Sequence, residues 1–269
     1  MLLQAADVAF GYGRRGAPVG RAGDASCVLR GVSLTVPHAS KVALLGPNGS
    51  GQTTLLKLLS GGLRPTAGSI HFDGRPMDTL PRRQLARRMA VVAQETQTAF
   101  DYTVLEMVLM GRYPWLGAFE MEGPLDRSAA MAALEATGTA QLADRSFPTL
   151  SGGEKQRVVI ASALAQIDNR TAPDTDARPL LFLDEPTASL DLHYQLEVVS
   201  LIARLHDERG MTVVLSTHDL RLASAVCDSV VLLRAGRVLD AGPTAVTLTA
   251  ARVAELYSVD ERLVAPLLP

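Results

Sequence analysis

The chain holds two cysteines, Cys27 and Cys227, which lie 200 positions apart. A disulfide framework needs more cysteines at closer spacing, so the pair reads as small buried hydrophobes in a reducing compartment. Net charge is only −2, which leaves no basic field for nucleic acid. Long apolar runs are also missing. The longest uncharged stretch, Val42 to Leu56, is too short for a membrane span and is full of Gly, Asn, Gln and Thr. The opening MLLQAADVAFGYG lacks the basic, apolar and cleavage regions of a secretion signal. These absences predict a soluble, cytoplasmic protein that reaches a membrane only through a partner. Internal repeats and coiled-coil heptads are absent too. With 269 residues, 47% of them apolar, the chain can bury a full core.

What is present alternates. VAFGYG, VLRGVSLTV, KVALLG, SIHFDG and AVVAQ read as strands with Gly/Pro punctuation. TTLLKLLSGGL has helical spacing, and LPRRQLARRM reads as a short basic helix whose Arg82, Arg83, Arg87 and Arg88 form a solvated face. From about Thr98 to Leu150 the pattern turns helical, with TVLEMVLMGRY, LDRSAAMAALEATG and TAQLADR as predicted helices. EKQRVVIASALAQI is a further helix, DNRTAPDTDARP a surface loop, LLFLD a buried parallel-type strand, and DLHYQLEVVSLIARLHDERG a long amphipathic helix. TVVLST and SVVLLR are two more buried strands. Such alternation predicts an α/β sheet with crossover helices.

Three motifs carry chemistry. GPNGSGQTT, Gly46 to Thr54, nearly matches the phosphate-cradling loop G-x-x-x-x-G-K-[ST], but Gln52 stands where the lysine belongs. Backbone N–H groups of Gly46, Pro47, Asn48, Gly49, Ser50, Gly51, Gln52 and Thr53, as far as each has one, together with a helix N-terminus, form an anion cradle. Thr53 offers a hydroxyl to Mg²⁺ and Thr54 a phosphate contact. In LLFLDEPT, Asp184 and Glu185 end a buried strand, placed as a metal partner and a general base. Alone, the first pattern also describes a turn before a core helix, and the second an ordinary loop start. LSGGEKQR, Leu150 to Arg157, discriminates: Ser151, Gly152 and Gly153 before a helix form a second anion-accepting end. One nucleotide does not need two cradles from one subunit, whereas two subunits packed head-to-tail do.

In this order and spacing the motifs resemble the nucleotide-binding subunit of an ABC transporter, across nearly the whole chain. The resemblance implies a P-loop NTPase core of mostly parallel sheet and flanking helices, with an N-terminal antiparallel β subdomain (1–97 and 151–269) and an inserted helical subdomain (98–150). It makes Tyr12 the adenine-stacking aromatic and Gln94 the glutamine that touches magnesium and water. Ser151, Gly152, Gly153 and Glu154 become the signature, Ser189, Leu190 and Asp191 the D-loop that crosses the dimer interface, and His218 the γ-phosphate switch. ATP and Mg²⁺ are the implied ligands. The implied partners are a second copy of the chain, two permease subunits at the cytoplasmic face of the inner membrane and, indirectly, an extracytoplasmic binding protein, with no nucleic acid. DYTVLEMVLMGRYPWLG (Asp101 to Gly117), SLDLHYQLEVV and RVAELYSVD are similar to importer ATPases for iron-siderophore, haem and cobalamin, making Tyr113, Pro114 and Trp115 candidate docking residues, or else packing within the helical insertion. Gln52 offers an amide but no charge, which predicts weakened hydrolysis with phosphate binding better preserved. Lys41 and Lys57 are not obviously placed to substitute.

Overall fold

The computed structural model describes residues 1–13, 27–94, 100–168, 179–188 and 190–268. Among the described residues the strands run in chain order: β1 (Leu3–Gly11), β2 (Cys27–Val36), β3 (Lys41–Leu45), β4 (Ala67–Phe72), β5 (Arg75–Pro76), β6 (Met89–Val92), β7 (Leu180–Asp184), β8 (Thr212–Thr217), β9 (Ser229–Arg234) and β10 (Arg237–Pro243). The helices are α1 (Gln52–Leu59), α2 (Arg82–Ala86), α3 (Val104–Leu109), α4 (Pro124–Ala136), α5 (Gly152–Gln166), α6 (Leu192–Arg209), α7 (Leu220–Val226), α8 (Thr244–Thr247), α9 (Ala250–Tyr257) and α10 (Glu261–Val264). Contacts divide them into two compact units, Met1–Leu80 with Thr212–Pro269, and Pro81–Met211.

In the first unit β1, β2, β4 and β5 form an antiparallel sheet ordered β2-β1-β4-β5. Beside it β3 pairs in parallel with both β8 and β9, and β10 closes onto β9 antiparallel. Val42, Ala43, Leu44 and Leu45 are buried, as a strand paired on both sides requires. Leu45 and Thr217 are register partners, so the loop after β3 and the turn after β8 leave the sheet at the same carboxyl end. Helix α1 buries Thr54, Leu55, Leu56, Leu58 and Leu59 and exposes Thr53 and Lys57, one turn apart. Cys27 and Cys227 are both free. The Cys227 thiol is pushed up to about 12 by burial and by Asp228.

In the second unit β6 and β7 run parallel with Val92 opposite Leu183, so Gln94 and Asp184–Glu185 follow neighbouring strand ends. Helices α3, α4 and α5 pack together, and α6 packs on α5. The predicted helix TAQLADR forms only a 3₁₀ turn, Ala140–Leu142. Its later carbonyls serve elsewhere: Ala143 and Arg145 accept the N–H groups of Leu105 and Val104, the otherwise orphaned donors at the start of α3. TVLEMVLMGRY is helical only to Leu109, followed by a 3₁₀ turn at Met110–Arg112. The expected solvated arginine face is corrected in part. Arg83 and Arg87 each donate through Nε to the Pro114 carbonyl, at 2.7 and 2.8 Å, and Arg87 stacks 4.6 Å from the Trp115 ring centroid. Among the described residues no helix is long and apolar enough to cross a membrane.

Candidate functional site

The first unit builds a phosphate-type cradle from backbone. Gly46 follows β3 so tightly that a Cβ there would sit 2.2 Å from the Leu233 carbonyl. Gly51, the N-cap of α1, has φ 103°, a left-handed value that glycine adopts without strain. Pro47, Asn48 and Gly49 form the outer rim, and Ser50 is buried beneath it, its N–H donating to the Pro47 carbonyl at 3.0 Å. The first turn of α1 contains no acid, so its positive end stays open to an anion. Tyr12 is 58% exposed, stands edge-on to Phe10, and places its hydroxyl 3.3 Å from that of Thr54. An exposed ring beside the cradle is the arrangement a stacking base needs.

Gln52 is tied inward. Its amide nitrogen donates to the carbonyls of Leu44 (3.0 Å) and Thr217 (3.1 Å), and its amide oxygen accepts the Ser50 hydroxyl (3.2 Å). One side chain therefore fastens the start of α1 to the ends of β3 and β8. Lys41 opens β3, five residues before Gly46 or roughly 16 Å along the strand, and its ammonium lies 3.8 Å from Asp228. Lys57 is exposed further along α1. Neither lysine takes the place of the missing one. His218 follows β8 directly and is exposed, with Asp219 capping α7 behind it.

The second unit holds the predicted acids. β7 is buried along its whole length and delivers Asp184, 6% exposed, to its carboxyl end. Glu185 sits at φ 47°, a left-handed conformation uncommon outside glycine and found where a site constrains the backbone. The Gln94 amide donates to the Glu185 carboxylate at 3.3 Å, so the parallel β6–β7 register joins two residues 91 positions apart in sequence. Ser151 caps α5 reciprocally with Glu154: the Ser151 N–H reaches the Glu154 carboxylate at 2.8 Å, and the Glu154 N–H reaches the Ser151 hydroxyl at 3.3 Å. That backbone hydrogen bond is the chief reason the Glu154 carboxyl lies below its ordinary range. Gly152 is open to solvent, while a Cβ on Gly153 would lie 2.3 Å from the Tyr194 ring. Asp191 caps α6, accepting the Tyr194 N–H at 3.1 Å. Ser189 lies outside the described residues.

The residues expected at a metal each offer a hard oxygen donor: Thr53 a hydroxyl in the first unit, and Gln94 an amide oxygen and Asp184 a carboxylate in the second. Among the described residues no three or more His, Cys, Asp or Glu side chains group to hold a metal. Oxygen donors of this kind suit Mg²⁺, which keeps waters and shares its shell with phosphates rather than sitting in an all-protein cage. Sequence reasoning missed Arg112 and Asp126. An arginine inside the apolar run LEMVLMGRYPW was the available signal. The docking candidates separate. Tyr113 is 58% exposed, whereas the Trp115 indole donates to the Gln166 carbonyl at 2.8 Å and its ring centroid lies 4.6 Å from the Arg87 guanidinium and 4.8 Å from that of Arg112.

Residues 29–188 match the family model described as ABC transporter. The chain belongs to the ABC transporter family. The α/β core, antiparallel N-terminal sheet and helical subdomain are that family's fold. The hemin import ATP-binding protein HmuV of Gloeobacter violaceus is 45% identical over 222 residues, covering 82% of this chain and 78% of that one. A chain of a metal-chelate type ABC transporter in an inward-facing conformation superposes with TM-score 0.78 and 30% identity, covering 95% of this chain and 88% of that one. The ATP-binding cassette MJ0796, in a dimeric post-hydrolysis state bound to ADP and Pi, superposes with TM-score 0.72 and 26% identity over 90% of this chain and 99% of that one.

Proposed function

We propose that this chain is the ATP-binding and hydrolysing subunit of an importer for a metal chelate of the iron-siderophore, haem or cobalamin class. The observation that carries the reading is the possession of two separate anion cradles, the glycine loop before α1 and the SGG start of α5, on one chain. In a head-to-tail pair each ATP lies between the loop of one copy and the SGG end of the other. The hemin-import relative and the metal-chelate neighbour support the substrate class, and the dimeric cassette supports the pairing.

The roles follow the chemistry. Tyr12 stacks on adenine. Backbone from Gly46 to Thr53 and the hydroxyl of Thr54 hold phosphates. Ser151, Gly152, Gly153 and Glu154 close the site of the opposite copy, with Asp191 at the interface. Glu185, held by Gln94, takes the proton of the attacking water, and His218 contacts the γ-phosphate. Thr53, Gln94 and Asp184 would hold Mg²⁺, which would neutralise phosphate charge. Residues 1–97 and 151–269 form the core and 98–150 the helical part that faces the permease. The chain then sits at the cytoplasmic face of the inner membrane through two permease subunits, which receive substrate from an extracytoplasmic binding protein, and engages no nucleic acid.

A second reading is favoured by Gln52, whose amide is committed to two internal carbonyls. On that reading the chain is a switch that dimerises on ATP and turns it over slowly. Light scattering of the full chain with Mg–ATP, alone and beside the cognate permease, tests the shared core of both readings. Two-chain particles are expected, and single chains throughout would refute them. Phosphate release at saturating ATP then separates the ATPase from the switch.

A further inference from the structure

Arg112 is the largest fully buried side chain among the described residues, 1% exposed, yet no step of hydrolysis uses it. Its Nη1 donates to the carbonyls of Ala165 (2.7 Å) and Asp168 (3.1 Å), at the C-terminal end of α5. Its Nε pairs with Asp126 Oδ1 at 3.0 Å. Asp126 stands in the first turn of α4, where its other oxygen accepts the Gly123 N–H at 3.1 Å. Charges therefore alternate from contact to contact: the positive end of α4, the Asp126 carboxylate, the Arg112 guanidinium, the negative end of α5. Trp115 completes the grip. Its ring lies 4.8 Å from the Arg112 guanidinium, and its indole N–H reaches the next α5 carbonyl, Gln166, at 2.8 Å. Gly111 lets the segment close on the helix, since a Cβ there would sit 2.2 Å from the Ser162 carbonyl. The Gln166 amide in turn binds the Ala86 and Met89 carbonyls at 2.8 and 2.9 Å.

The other end of α5 is Ser151–Gly153. A helix of 15 residues is roughly 22 Å long. A tilt of about 5° at the clamped end therefore moves the SGG end by about 2 Å, enough to spoil contacts that lose function at about 1 Å of misplacement. We propose that Arg112 is a positioning residue: with Asp126 and Trp115 it fixes the pose of α5 and so sets how well the SGG end closes on the nucleotide of a second copy. This rests on the two-copy reading above, and it predicts a defect in pairing rather than in nucleotide capture, because the glycine loop belongs to the other unit.

Arg112→Lys keeps the charge and removes the fork. Trp115→Phe keeps an aromatic ring but removes the indole N–H and shrinks the ring, so it loosens the same clamp from another side and covers the case in which Arg112→Lys does not fold. For each full-length variant, equilibrium dialysis at low protein concentration gives the ATP dissociation constant, and scattering with Mg–ATP gives the dimer dissociation constant. The expected result is an unchanged ATP constant, within about twofold, and a dimer constant raised about tenfold, roughly the effect of 1.4 kcal/mol. In Ser151→Ala background the Arg112→Lys penalty should shrink below about threefold, because both act through one helix end. A folded variant that pairs as tightly as the parent, or one that loses ATP binding and pairing in equal measure, overturns the proposal. If the parent chain itself never pairs, the two-copy reading has failed and this inference goes with it.

Discussion

Replacing Gln52 by lysine tests the least conventional position of the cradle. In the structure Gln52 makes three internal hydrogen bonds, two through its amide nitrogen to Leu44 and Thr217 and one through its oxygen from Ser50. A lysine ammonium can donate to the same two carbonyls but cannot accept from Ser50. Without nucleotide the exchange loses one hydrogen bond, about 0.5–1.5 kcal/mol, and sets an ammonium in a half-buried position. A total loss of about 1–2 kcal/mol lowers the melting temperature by about 2–4 °C for a chain of this size. With nucleotide the balance reverses, because the ammonium places a full charge against the outer phosphates. A pre-aimed donor of this kind is worth about 10²–10³ in rate. Phosphate release at saturating Mg–ATP should therefore rise about 10²–10³-fold in Gln52→Lys, with Glu185→Gln giving the background. Mg–ATP should also raise the melting temperature of the variant by more than that of the parent. Turnover rates that agree within twofold would refute the account of this position. A nucleotide-free variant that melts above the parent would refute the fastening role of the glutamine.

Gly153→Ala drives a methyl into the Tyr194 ring and should cost about 1–3 kcal/mol by chemical denaturation, with part of it recovered in the double variant with Tyr194→Ala. Glu154 has a folded pKa below its ordinary value, so its capping contribution is complete above about pH 4.5 and disappears as pH falls through the folded pKa. Carbon-detected NMR titration of its carboxyl should therefore show a midpoint below 4.5, and a midpoint at or above that value contradicts the cap. Cys227, buried and with its thiol near 12, should resist a thiol reagent at pH 8 until the chain is unfolded in guanidinium, so counting reactive thiols in both states gives at most one and then two.

Much of this molecule is local and could be read from the chain. The glycine loop, the Ser151–Glu154 box and the strand ending in Asp184–Glu185 depend on residues within a few positions of one another, so short spacings and hydrophobic period specify them. TAQLADR shows where that stops: its spacing is helical, but its carbonyls are taken by the start of α3, some forty residues earlier in the chain. Arg83 and Arg87 likewise look solvated in sequence, and become bound only because Pro114 and Trp115 fold back beside them. The sequence alone determined that glutamine occupies position 52 and that arginine interrupts an apolar run at 112. Only the tertiary structure decided that Gln52 turns to β3 and β8, that Gln94 meets Glu185, and that Arg112 closes the end of α5. A side chain's partners are set by strand register and helix packing between residues far apart along the chain, and local spacing carries no information about either.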